Sequence, residues 1–111
     1  MKQEELHAAL KSIGLPVAYD EFVSTPEWPA PEPPFITYQF SYSSDMTADN
    51  HNYLDIANFQ IELYTIDKDL PTEKLVQDKL KELRLPYSKI GASIESEQMK
   101  QIIYEIQLIG G

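Results

Sequence analysis

One stretch of alternating residues constrains the fold more than any other part of the chain. Residues 53–67 read YLDIANFQIELYTID, and apolar and polar side chains alternate strictly from residue 57 to residue 63. Because successive residues of a strand face opposite sides, this pattern predicts a half-buried strand. A strand of this length exceeds the width of a compact domain of this size, roughly 35 Å. We therefore expect it to bend at a bulge or to project as a long hairpin that contacts a partner.

The rest of the chain predicts two helices and further strands around this element. Gly14 follows the first amphipathic stretch, where a helix end favours a left-handed residue, and Pro86 closes the second. Together these elements predict an α+β fold, with an antiparallel-rich sheet of four or five strands, two helices packed on one face and a long projecting hairpin, in a single domain of residues 1–111. Helices are predicted over residues 2–13 and 67–83, and the other strands over residues 17–23, 35–43, 87–95 and 98–109.

The same periodicities predict the core. Phe59, Ile61 and Leu63 share one face of the long strand, and we expect them to pack on the second helix. The buried stripe of that helix is predicted to be Leu75, Val76, Lys79, Leu80 and Leu83. The strand faces predicted to join them are Ile36, Tyr38, Phe40 and Tyr42, and Ile102, Tyr104, Ile106 and Leu108.

Composition limits the classes of function. The chain has no cysteine, which excludes a disulfide framework and a thiolate metal site. Its net charge of −9 opposes binding to nucleic acid and to anionic membranes, and suits basic partners. The sequence shows neither a signal-peptide core nor an apolar run long enough to span a bilayer. We expect a soluble intracellular protein that binds neither a membrane nor a specific nucleic acid.

The polar connection over residues 44–52, SDMTADNHN, is the predicted partner-contacting segment. It joins two strands that reach beyond the core. Met46 is its one large apolar side chain among eight small or polar ones, so burial cannot fix it to its own domain. The contact candidates in this segment are Asp45, Met46, Asp49, Asn50 and His51. Trp28 is a sixth candidate, because it lies alone in a segment with five prolines in residues 24–34. It is either a lid over the sheet or an exposed anchor.

No catalytic or cofactor-binding constellation is evident in the sequence. His7 falls on the polar side of the first helix, which predicts a solvated side chain. His51 lies near three aspartates, but the spacing matches no calcium loop. The chain also lacks a glycine-rich phosphate loop. We predict no enzymatic activity, no metal and no cofactor.

Three stretches in matching order resemble a known family. They are PPFITYQF over residues 33–40, ADN followed by Tyr53 and FQIELYTIDKD over residues 48–69, and IESEQMKQIIYEI over residues 94–106. The chain resembles the small tail-completion proteins of long-tailed phages and prophages. These are the tail terminator or head–tail joining group, often called minor structural proteins. The approach of that family to its first long strand is proline-rich, as at Pro29, Pro31, Pro33 and Pro34.

The resemblance implies a virion structural protein without catalytic residues. It implies an α+β subunit that forms a ring, expected as a hexamer in the virion, at the head-proximal end of the tail. The implied partners are other copies of the chain, the tail-tube protein and the head connector, with assembly in the host cytoplasm. A subunit of this kind can be a monomer in solution. The alternative that the residues leave open is an acidic interaction module, a regulator or DNA-mimic inhibitor that binds a basic protein surface.

Overall fold

The computed structural model describes residues 1–22, 26–27, 30–48, 51–94 and 99–109, and describes their side chains except in residues 46–48, 51–54 and 92–94. Candidates Trp28, Asp49 and Asn50 lie outside the described residues, and only the backbone of Met46 and His51 is described. The elements are α1 (Gln3–Lys11), β1 (Val17–Tyr19), β2 (Phe35–Ser43), β3 (Met46–Ala48), β4 (His51–Leu54), β5 (Ile56–Thr65), α2 (Leu70–Glu82), β6 (Ser88–Ile94) and β7 (Met99–Ile109).

Five of the strands form one mixed sheet, in the order β1-β2-β5-β7-β6. All neighbouring pairs are antiparallel except β1 and β2, which are parallel. The predicted α+β class and antiparallel-rich sheet are confirmed. The parallel pair is possible because residues 20–34 are long enough to return the chain to the other end of the sheet.

The long central strand is interrupted at Asp55, and a long projecting hairpin is not confirmed. β5 pairs with β2 and with β7 in the main sheet. β3 and β4 instead pair with each other as a separate two-stranded sheet, from Met46 opposite Leu54 to Ala48 opposite His51. The polar connection predicted over residues 44–52 is therefore narrower than a wide loop, since residues 46–48 and 51–52 form part of this ladder.

Both helices begin and end near the predicted residues. Asp69 precedes α2, and its carboxylate accepts a hydrogen bond from the backbone N–H of Thr72 at 3.2 Å, which satisfies a free donor of the first turn. After α1 the chain passes through Gly14 at φ +101°, the left-handed conformation expected there. α1 packs over the β1–β2 side of the sheet, where His7 contacts Tyr38, and α2 over the β7–β6 side, where Gln77 contacts Tyr104.

One apolar cluster fills the space between the helices and the sheet. Ile61 and Leu63 are fully buried and Phe59 nearly so, as predicted. The predicted stripe of α2 is wrong at Leu75, which is 50% exposed, because the helix is rotated so that Glu73 faces the sheet instead. The remaining buried apolar residues are Leu6, Leu10, Ile36, Tyr38, Val76, Leu80, Ile102, Tyr104, Ile106 and Leu108.

The end of β2 also departs from the predicted alternation. Phe40 pairs with Phe59 but Tyr42 pairs with Asn58, so Ser41 is an extra residue in this strand. Such a bulge moves the following side chains to the opposite face. Tyr42 is consequently 61% exposed rather than part of the core, and Phe40 at the sheet margin is 46% exposed.

Candidate functional site

Asp45 lies where the two-stranded sheet of β3 and β4, which we call the β3–β4 extension, joins the main sheet. Its carboxylate accepts hydrogen bonds from the Ser43 hydroxyl at 2.5 Å and from the backbone N–H of Ile56 at 2.9 Å. The bond from Ser43, followed by that from Ile56, lowers the pKa of Asp45 below its ordinary value. A residue that the sequence suggested for partner contact therefore has an internal structural role, which no short sequence pattern signalled.

Asn58 anchors the bulge next to this base. It is buried on the sheet face away from the helices, and its Nδ2 donates to the backbone carbonyl of Tyr42 at 3.1 Å and to the Ser44 hydroxyl at 2.9 Å. Its Oδ1 accepts from Nε2 of Gln107 at 3.1 Å. These three bonds fix where the main sheet ends and the β3–β4 extension begins.

The sequence predicted a solvated side chain for His7, and this prediction is wrong. It is half-buried, and its Nδ1 lies 2.8 Å from the hydroxyl of Tyr38. Burial is the main cause that raises the pKa of Tyr38. The pair borders a shallow hollow of about 300 Å³ that Gln3 and Glu4 also line. This contact joins α1 to β2, and the hollow holds no nucleophile with a matching base among the described side chains.

The buried carboxylate of Glu73 ties α2 to the edge of the sheet. Glu73 is only 2% exposed and pairs with the ammonium groups of Lys68 at 2.9 Å and Lys89 at 2.7 Å. Burial alone would raise the pKa of Glu73, but the hydrogen bonds and charges of Lys89 and Lys68 outweigh it and lower that pKa. No local sequence pattern points to this role of Glu73, because neither lysine reveals its partner until the chain folds.

The sheet face away from the helices carries a lateral network of polar side chains. Both the Thr37 hydroxyl and the Tyr64 hydroxyl donate to Oε2 of Glu62, at 3.0 and 2.9 Å. Gln101 donates to the hydroxyl of Tyr64 at 3.0 Å, so the network crosses β2, β5 and β7. The ring of Phe35 stacks on Tyr64 at 4.9 Å. We call this surface the open face.

A cleft of about 580 Å³ lies at the edge of the sheet where β6 begins. β6 pairs with β7 only from Ser88, opposite Glu105, whereas β5 continues to Ile56, opposite Ile109. Residues 106–109 of β7 therefore have β5 on one side and, among the described residues, no strand on the other. We call this gap the notch. Its lining residues are Met1, Tyr42, Asn58, Leu83, Arg84, Leu85, Pro86, Tyr87, Ser88, Glu105, Ile106, Gln107, Leu108 and Ile109.

Charge is divided unevenly along the chain and hence across the sheet. Residues 12–67 contain no lysine or arginine, while seven of the nine basic residues lie in residues 68–100. The first range supplies β1, β2 and β5, and the second supplies α2 and β6. The β1 side of the sheet therefore has no lysine or arginine on its strands and exposes Asp20 and Glu21, whereas α2 and β6 on the other side carry most of the cations.

Neither a metal-binding cluster, nor a membrane-spanning helix, nor a related protein points to a function for the described part of the chain. Among the described residues, no three acidic or histidine side chains converge as a cation site, and no helix is both long and apolar enough to cross a bilayer. No protein-family model matches the chain, and no curated protein matches it at a significant level.

Proposed function

We propose that the protein is a structural subunit of a long-tailed phage or prophage virion, a tail terminator or head–tail joining protein. In this role, copies of the chain form a closed ring at the head-proximal end of the tail and contact the tail-tube and head-connector proteins. The ring is expected to contain six subunits, and the subunit has no catalytic role. The stretches over residues 33–40, 48–69 and 94–106 supply the resemblance on which the role is based.

The observation that carries the proposal is the chemical difference between the two lateral edges of the sheet. Within the described residues, β1 and β6 each have a partner strand on one side only. A two-fold dimer would pair like with like, whereas a head-to-tail contact pairs unlike surfaces and can close into a ring. Here such a contact would set Asp20 and Glu21, next to β1 in one copy, against the lysines of the β6 side in the next copy, which favours the head-to-tail arrangement electrostatically.

The acidic surface also supports the proposed role at the tail. DNA passes through the centre of a ring at this position, and a negative lumen repels the duplex instead of retaining it. The same lack of basic residues over residues 12–67 favours the alternative, an acidic module that covers a basic protein surface as a monomer. The two proposed functions differ in one testable respect: a ring subunit associates with other copies at the end of a tail, whereas the interaction module binds its partner as a monomer.

Electron microscopy of the purified chain mixed with tail tubes tests the proposal. The tubes would be assembled from purified tail-tube protein. We expect a ring of extra density at one end of each tube and an end to tube growth. A chain with residues 47–51 replaced by a short turn tests the β3–β4 extension, since loop shortening costs little stability. This variant should fold and fail to cap tubes.

The opposite outcome is equally specific. Unlabelled tube ends, together with stoichiometric binding of a single copy to a basic protein, would favour the interaction module. If the shortened chain caps tubes normally, the β3–β4 extension is only a connection. The contact would then have to lie on the sheet edges or the open face.

A further inference from the structure

The notch has the composition of a site for an extended proline-rich segment. Tyr42 is exposed beside it, and Pro86 and Tyr87 form part of its wall. Proline-rich segments in the polyproline II conformation bind grooves lined by aromatic side chains, because their rings stack and their carbonyls accept side-chain hydrogen bonds. Gln107 and Arg84 supply such donors at the notch.

Arg84 marks the notch further. It follows α2 with φ +58°, a left-handed conformation that glycine would adopt at lower cost. Within the described chain Arg84 forms none of the observed ion pairs. A guanidinium placed at this position is therefore available to a carboxylate from outside the subunit.

The chain itself contains a segment of matching chemistry. Residues 24–34 read STPEWPAPEPP, with five prolines, one tryptophan and two glutamates. Glu27 and Glu32 are exposed, and no described residue of this segment lines the notch. Its carboxylates complement Arg84, and its proline and tryptophan rings suit the apolar wall.

The two ends of the segment are anchored away from the notch. Residues 24–34 belong to the connection between β1 and β2, residues 20–34. This connection begins next to the pairing of Tyr19 with Tyr38, and the ring contact of Phe22 with Phe35 holds both of its ends at the β1–β2 side. The notch lies on the β6 side, two strands further across the sheet and at the opposite end of the ladder. No described residue of the segment lines the notch of its own copy, and a second copy is therefore the source considered for the occupant.

We propose that the notch binds residues 24–34 of a neighbouring copy, with Arg84 pairing with Glu27 or Glu32. The inference rests on the proposed ring and specifies its subunit contact. Each copy offers one segment on the β1 side and one notch on the β6 side, so the contact is head-to-tail. Glu105 also lines the notch and opposes an acidic occupant, which places the carboxylate of the segment on the Arg84 side.

Binding of a labelled peptide of residues 24–34 to the full-length chain, followed by fluorescence anisotropy, tests the contact. We expect saturable binding that Arg84→Glu weakens by about tenfold or more, the effect of losing one favourable charge pair and adding repulsion. Tyr42→Ala should also weaken binding of the peptide. Because the Tyr42 side chain is exposed, its removal should not unfold the chain, so misfolding would not explain weaker binding. Glu105→Gln should strengthen it. Lys11→Glu on α1 is the matched control, with the same charge change away from the notch, and should bind as the parent does.

Charge exchange gives the decisive comparison. A peptide with Glu27→Lys and Glu32→Lys should bind the parent chain weakly and the Arg84→Glu chain more tightly. Absence of saturable binding, or equal affinity for the parent and Arg84→Glu, overturns the inference. Capped tail tubes with the Arg84→Glu chain would also overturn it while leaving the proposed function intact. Peptide binding with the expected charge dependence, but no capped tubes, would do the reverse.

Discussion

The two faces of the same sheet are stabilised in different ways. The face under the helices is closed, and its central residues Ile61 and Tyr104 are fully buried. Neither described helix covers the open face, where the Glu62 carboxylate accepts hydrogen bonds from Thr37 on the neighbouring strand and from Tyr64 on its own strand. Burial of apolar surface dominates the first, and lateral hydrogen bonds of modest net strength dominate the second.

This difference shows how one set of strands can supply both a core and an accessible surface. The alternation of side chains divides each strand between the two environments. Polar groups on the open face satisfy one another, so they need no covering layer. On the closed face the buried carboxylate of Glu73 is paired with two lysines, which favour its ionised form.

Truncation at the centre of the closed face should have the largest effect. Ile61→Ala removes buried methyl groups and leaves a cavity, so the free energy of unfolding should fall by about 2–5 kcal/mol. Gln60→Ala, the next residue on the open face, should change it by less than about 1 kcal/mol. Urea denaturation measures both. Equal losses for the two variants would contradict the separation of the faces.

Neutralising the buried carboxylate should have the next largest effect. Glu73→Gln should cost about 1–3 kcal/mol at neutral pH, a moderate loss because both lysines are partly exposed and can be solvated. The folded pKa of Glu73 is lowered, so its stabilisation is present above the unfolded value, about 4.3, and is lost as pH falls through the folded pKa.

The pH profile isolates this contribution. Stability of the parent chain and of Glu73→Gln, measured by urea denaturation from neutral to acidic pH, should converge below the folded pKa. A constant difference at every pH would show that the loss comes from packing and not from the ion pairs.

Removing the bulge anchor should have an intermediate effect on the open face. Asn58→Ala leaves the Tyr42 carbonyl and the Ser44 hydroxyl without this donor, and should cost about 1–2 kcal/mol. Gln107→Ala removes only one of the three bonds, from a more exposed partner, and should cost less. Thermal or urea denaturation of the pair tests this order, and a larger loss for Gln107→Ala would contradict it.

The smallest expected change in stability is accompanied by a clear spectroscopic signal. Burial, followed by the hydrogen bond to Glu62, raises the pKa of Tyr64 to about 12. Glu62→Gln should lower this pKa while changing the free energy of unfolding by less than about 1 kcal/mol. Ultraviolet titration of tyrosinate, with Tyr64→Phe to assign the transition, measures the shift. Glu105→Gln, on the same face but outside this contact, should leave the Tyr64 titration unchanged.

Because the tyrosine pKa is raised, the direction of linkage is opposite to that of Glu73. The contribution of Tyr64 to stability is fully present below its unfolded pKa, about 10, and is lost as pH rises through the folded value. Destabilisation of the parent chain that begins at alkaline pH and is reduced in Tyr64→Phe would match this sign.

The sequence alone predicted the elements and most of the closed face. Period-two alternation identified β5 and β7, and Gly14 and Pro86 marked where the two helices end. These signals are local, because they depend on how a residue and its near neighbours meet water or the backbone. The same local rules correctly placed Phe59, Ile61 and Leu63 in the core.

Only the tertiary structure decided the features that could serve a partner. The rotation of α2 exposes Leu75 and buries Glu73. It depends on two lysines that pair with Glu73, Lys68 just before the helix and Lys89 on β6. The notch exists because β6 begins opposite Glu105 while β5 continues to residue 56, a difference in register that neither strand encodes by itself. Sequence thus determined where strands and helices form, through local periodicity. Pairing between distant residues determined which surfaces stay open.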